Sequence, residues 1–156
     1  METNNEINIK KYNHYKHMLA NLNLSLDKGF YLQAVLIEYA MIEDRISSII
    51  RHLISEDAIF NKDGNVLMMN RKIKLIKEYV PKIKDAWLKK YLENELLDNV
   101  IEWKNRRNKI VHALMNRFDE DDLIRDVAVE GKDLSRKIND LATKIKSRLK
   151  VLNKKK

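Results

Sequence analysis

Ala34-Val35-Leu36-Ile37-Glu38-Tyr39-Ala40-Met41-Ile42 is the most apolar stretch of this chain and the one that decides its fold. Val35, Tyr39, Ile42, Ile46, Ile49 and Leu53 continue it at steps of three or four residues. That spacing lines one face of a helix, which the pattern extends over 31–54. So apolar a helix belongs at the centre of a helical assembly. Glu38 is its one charge in nine residues, and a carboxylate among apolar neighbours needs a partner or an edge.

Outward from it, the same period recurs. Tyr15, Met18, Leu19, Leu22 and Leu26 predict a first helix over 9–27, with Gly29 as its C-terminal stop. The period is lost over 55–70, where Asn61-Lys62-Asp63-Gly64-Asn65 has turn chemistry. That stretch lacks the later acidic ligands of a calcium loop. A short third helix follows over 71–79, closed by Pro81. A long fourth helix is expected from Lys84 or Trp87 to Asn116. A fifth starts at the carboxylate cluster Asp119-Glu120-Asp121-Asp122 and reaches Leu152, with a bend expected at Gly131. The expectation is all-α: an up-and-down bundle of four long helices and one short one, a single domain over 1–156 with frayed ends at 1–7 and 153–156.

Composition agrees. Three glycines and one proline in 156 residues leave few breaks between helices, and the absence of cysteine excludes a disulfide framework and a thiol nucleophile. The first twelve residues lack the apolar core of a signal peptide, and no apolar run reaches membrane length, so no membrane partner and a cytoplasmic location are expected. No glycine-rich phosphate loop is present. His14 and His17 are three apart, too thin a pattern for a zinc site. The net charge of +8 suits an anionic partner. Lysines at 72, 74, 77, 82, 84, 89 and 90, and basic residues from Lys144 to Lys156, form two clusters. Each reads first as a solvated helix face and second as a track for an RNA backbone. Tyr39, Trp87, Tyr91 and Trp103 read as core aromatics before base-stacking ones.

On the fourth helix, Leu96, Val100, Trp103, Arg107, Val111 and Leu114 fall on one side, so Arg107 stands where a leucine is expected. A guanidinium there needs carboxylates or phosphates around it. Glu38, Glu43 or Asp44 of the second helix are its expected carboxylate partners. His112 is five residues on, about 140° around the helix from Arg107, whereas Asn108 and His112 share a face.

Arg107-Asn108-x-x-x-His112, late in a long helix of an all-helical chain, resembles the signature of the HEPN superfamily. The resemblance covers the helical layout of most of the chain, and only these three residues carry it in detail. It implies a metal-independent endoribonuclease of toxin–antitoxin or abortive-infection type, with no cofactor. It also implies a homodimer whose two motifs line one cleft, which would bring together residues that one helix holds apart. His112 would serve as general base or acid, Arg107 as phosphate clamp and Asn108 as an orienting group. Attack by the RNA 2′-hydroxyl would leave a 2′,3′-cyclic phosphate. Glu43, Asp44 and Glu38 are weaker, supporting candidates. An antitoxin or regulatory protein is a further possible partner. In one branch of the superfamily a modified tyrosine stands two residues after the histidine; here that residue is Leu114, which argues against that regulation. The alternative is a non-catalytic helical module that binds RNA or protein, with Arg107 in a structural ion pair.

Overall fold

The computed structural model describes residues 4–114 and 121–154. Among these the chain forms six α-helices: α1 (Asn4–Asp27), α2 (Tyr31–Leu53), α3 (Met69–Tyr79), α4 (Ala86–Leu92), α5 (Leu96–Ala113) and α6 (Asp121–Asn153). Two 3₁₀ turns, Glu56–Ile59 and Val80–Lys82, join them. The fold is all-α, with α2 at its centre, packed against α1, α3, α5 and α6. Among the described residues no helix is long and apolar enough to cross a membrane.

α1 begins ahead of the Ile9 start expected from its apolar spacing. It ends where expected. The Gly29 N–H bonds the Leu26 carbonyl and the Phe30 N–H the Ser25 carbonyl, a closure that needs the positive φ of +75° at Gly29. The 61–65 segment forms a turn in which Asn61 Oδ1 accepts from the backbone N–H groups of Asp63 and Asn65, both at 2.9 Å.

The long fourth helix is two helices. Asn94 Oδ1 accepts from Leu96 N at 2.9 Å, so Asn94 opens α5 where a continuous helix was expected. Glu93 and Glu95 favour the break: carboxylates are unfavourable at the end of α4 and favourable at the start of α5. α4 has its own anchor. Asp85 Oδ1 accepts from Leu88 N at 2.9 Å as an N-cap, and the same carboxylate takes three hydrogen bonds from Arg148 of α6.

The bundle departs from a simple up-and-down order. Asn70 meets Lys104 and Lys77 meets Asp98, so α3 runs antiparallel to α5. Tyr39 meets Arg107 near the start of α2, and Glu43 meets Lys72, so α2 and α3 run the same way. The 54–68 segment makes this possible by returning the chain along α2 before α3 starts.

One buried cluster joins Leu22 of α1 to the inner faces of the other helices. Its tightest point is Gly131. α6 continues through this residue as helix. A Cβ built there would lie 2.8 Å from Trp103 Cζ2 and closer still to the Glu38 carboxylate. Glycine is therefore required for α2, α5 and α6 to meet. Trp103 is fully buried at this junction and donates its Nε1–H to the Val127 carbonyl at 2.8 Å.

Candidate functional site

The site is built where α5 crosses the first turns of α2. The buried line of α5 is Leu97, Val100, Trp103 and Ile110. Arg107 lies on this line, between Trp103 and Ile110, and is half-buried. Its guanidinium lies over the Tyr39 ring, with Cζ 4.9 Å from the ring centroid. Arg107 Nη1 donates to Asn108 Oδ1 at 3.0 Å, while its Nε is buried and meets no acceptor among the described residues.

The expected carboxylate pair does not form. Glu43 faces α3, where its Oε1 accepts from Lys72 Nζ at 3.1 Å. That contact also corrects the reading of Lys72 as part of a solvated basic face, since Lys72 is only 1 % exposed. Asp44 pairs with Arg45. Both line a cavity of about 210 Å³ against α1, with Lys11, His14, Tyr15 and Met41. Glu38 is fully buried, and neither of its oxygens has a hydrogen-bond partner among the described residues. Burial pushes its carboxyl up to about 8, against a weaker opposing pull from Lys132, so near neutrality Glu38 is mostly protonated. It supports the junction at Gly131 and makes no contact with Arg107.

Arg107 is thus unusual among its kind. Arg45, Arg51, Arg71, Arg106, Arg136 and Arg148 each have a carboxylate partner. Of the described arginines only Arg107 and Arg125 do not, and Arg125 is exposed. A half-buried guanidinium held by a ring and an amide keeps most of its five N–H donors for something else. Tyr39 is the residue the sequence reading undervalued. It was counted as core, and it is also the shelf on which Arg107 rests. Burial raises its hydroxyl pKa, as does nearby Glu43, while Arg107 draws it down.

Asn108 is half-buried beside Arg107, and His112 is exposed in the last turn of α5. The structure therefore joins Arg107 to Asn108 directly. His112 lies one turn further along the Asn108 line. Arg106 points the other way, to Glu130 of α6. Met115, Asn116 and the Asp119-Glu120 part of the acidic cluster lie outside the described residues.

Apolar side chains surround this end. Leu32 and Leu36, one turn apart on α2, are 41 % and 49 % exposed, and Leu36 is three residues from Tyr39. Phe30 is 58 % and Leu123 at the start of α6 is 52 % exposed. Among the described residues no group of three His, Cys, Asp or Glu side chains could hold a metal ion. Comparison with known protein families, with curated proteins and with solved structures finds no match to this chain.

Proposed function

We propose that this protein is a metal-independent endoribonuclease of HEPN type, acting as a toxin or in phage defence from a homodimer cleft. The observation that carries the reading is Arg107: held on Tyr39, bonded to Asn108 and free of any carboxylate among the described residues. A guanidinium so placed can take a phosphate on two donors. An exposed imidazole one turn beyond Asn108 can serve as the proton-transfer group.

The chemistry uses the RNA's own nucleophile. His112 accepts the 2′-hydroxyl proton, the 2′-oxygen attacks phosphorus, and the 5′-oxygen leaves with a proton from an imidazolium. Arg107 offsets the charge that grows on the phosphate oxygens. The partner subunit's copy of the motif would supply the second imidazole. The exposed apolar line Leu32–Leu36, beside Tyr39, supports self-association at this end, since apolar patches next to polar sites mark interaction surfaces.

The test is cleavage of labelled structured RNA in excess EDTA by the parent, Arg107→Ala and His112→Ala proteins, with folding and oligomeric state measured for each. Cleavage that leaves a cyclic phosphate and disappears in both folded variants supports the reading. Cleavage unaffected by either substitution removes these residues from the chemistry. No cleavage by the parent, with RNA still bound, turns the assignment to the non-catalytic binding module.

A further inference from the structure

The positive charge of this chain is not at the motif. Residues 80–92 contain four lysines and one aspartate, and residues 141–156 contain seven basic residues and no acidic one. Together these segments carry a net +10 against +8 for the whole chain, so everything else, Arg107 and His112 included, is net −2.

Some fifty residues apart in sequence, the two segments are brought together because α4 lies against the C-terminal half of α6. Arg148 grips Asp85 and lies 6.0 Å from the Trp87 ring, while Lys144 Nζ lies 5.3 Å from the Tyr91 ring. Trp87 and Tyr91 are half-buried and packed together at a tilt of 34°, with centroids 4.2 Å apart. Beside them runs a groove of about 310 Å³ whose lining includes Tyr91, Asn94, Asn99 and Lys144, together with Asp140 and a Lys137 already paired with Asp133. Arg148 and Lys89 have acidic partners. Lys84, Lys90 and Lys144 have none among the described residues. Unpaired like charges at this density repel one another, and a polyanion relieves that repulsion.

We infer that the α4–α6 face is a docking surface for single-stranded nucleic acid. Lysines flanking two aromatic rings follow the pattern by which such proteins hold a strand: phosphates on the cations, bases against the rings. The Asn94 and Asn99 amides in the groove can bond base edges. A lipid surface would be met by lysines and a flat apolar rim, without the groove and amides. The face is remote from the motif. Val127 sits beside Trp103, and Arg148 is 21 residues further along α6, about 32 Å at ~1.5 Å per residue. The inference adds to the nuclease reading without depending on it, because binding can be read where no cleavage occurs.

The experiment titrates His112→Ala protein with a fluorescein-labelled 12-nucleotide oligouridylate, following anisotropy and tryptophan emission. Trp87 lies on the proposed face and Trp103 is buried, so binding should quench emission, and Trp87→Phe should remove most of the quench. Adding Lys90→Glu and Lys144→Glu, both exposed, should weaken binding at least tenfold. The log–log salt slope should flatten by about 1.4, roughly 0.7 for each lost phosphate contact on a single strand. Lys28→Glu with Lys62→Glu, the same charge change elsewhere, should weaken it less than threefold. Equal losses from both pairs, or binding without a change in Trp87 emission, would overturn the inference. So would indifference to oligouridylate combined with binding to phosphatidylserine vesicles, which would make the face a membrane surface.

Discussion

At one end of the bundle Arg107 lies over Tyr39; at the other Arg148 lies near Trp87. Both are arginines of long helices set against an aromatic ring from another element. They differ in what completes them. Arg148 makes three hydrogen bonds to Asp85, which also caps α4, so this arginine ties two helices together. Arg107 has one bond to a neighbouring amide and no carboxylate among the described residues. Arginine over an aromatic ring is therefore not itself a functional signal. The missing carboxylate is what distinguishes a group held ready for an anion from a clamp already closed.

The largest effects should separate these two roles. Arg107→Ala and His112→Ala should each lower RNA cleavage by roughly a thousandfold, in line with loss of a phosphate clamp or a proton-transfer group. Arg148→Ala should lower the melting temperature more than Arg107→Ala does. The reverse order, with Arg107→Ala unfolding the protein, would break the comparison and make Arg107 the structural arginine.

Next comes the junction between the two ends. Gly131→Ala forces a Cβ against Trp103 and Glu38, both fully buried. Overpacking of this kind costs about 3 kcal/mol, or roughly 10 °C in melting temperature for a chain of this size. A melting temperature within 2 °C of the parent would show that α2 and α6 can separate there freely.

Glu38 should give a smaller effect with a clear sign. Its folded-state value of about 8 lies above the 4.5 of an unperturbed glutamate, so the native protein retains a proton that the unfolded chain has released. Stability should therefore fall as pH rises from about 4.5 to 8 and level off above that. Glu38→Gln should match the parent near pH 5 and exceed it at pH 8.5 by roughly 2 kcal/mol, read from urea unfolding at both pH values. A variant less stable than the parent at pH 8.5 would mean that the carboxylate has a native partner.

The smallest effect concerns Asp85. Hydrogen bonds from Arg148 and from the Leu88 N–H hold its carboxyl below the usual range. Stability from this group is present above the unfolded-state pKa and is lost as pH falls through the folded-state value. Asp85→Asn should lower the melting temperature by a few degrees at pH 7, and the loss should shrink as pH falls through the folded-state value and the parent carboxylate takes up its proton. An equal loss at every pH would leave only the cap and remove the ionic part of the clamp.

The two ends were not equally legible in the sequence. α2 could be read from its apolar period alone, as could the close of α1 at Gly29 and the turn at 61–65, because local spacing and turn chemistry decide them. The break at Asn94 was missed: apolar residues continue on either side of it, and only the placement of Glu93, Asn94 and Glu95 hints at a fresh helix start. The arginine end was read in part. The oddity of Arg107 and Glu38 was visible, but their pairing was not. Glu43 is taken by Lys72 from α3, and Asp44 turns toward α1; both outcomes depend on long-range packing that local spacing does not encode. Likewise the two basic segments read as separate solvated faces, because nothing in either one predicts that α4 folds back on α6.

The close approach at Gly131 also has a mechanical side. It divides α6 unequally, with ten residues before it and twenty-two after it, about 15 and 33 Å of rod at ~1.5 Å per residue. Treated as a stiff rod resting on that fulcrum, α6 is a lever with arms near one to two. A tilt that shifts its lysine-rich tip by 2 Å shifts its first turn by about 1 Å in the opposite sense.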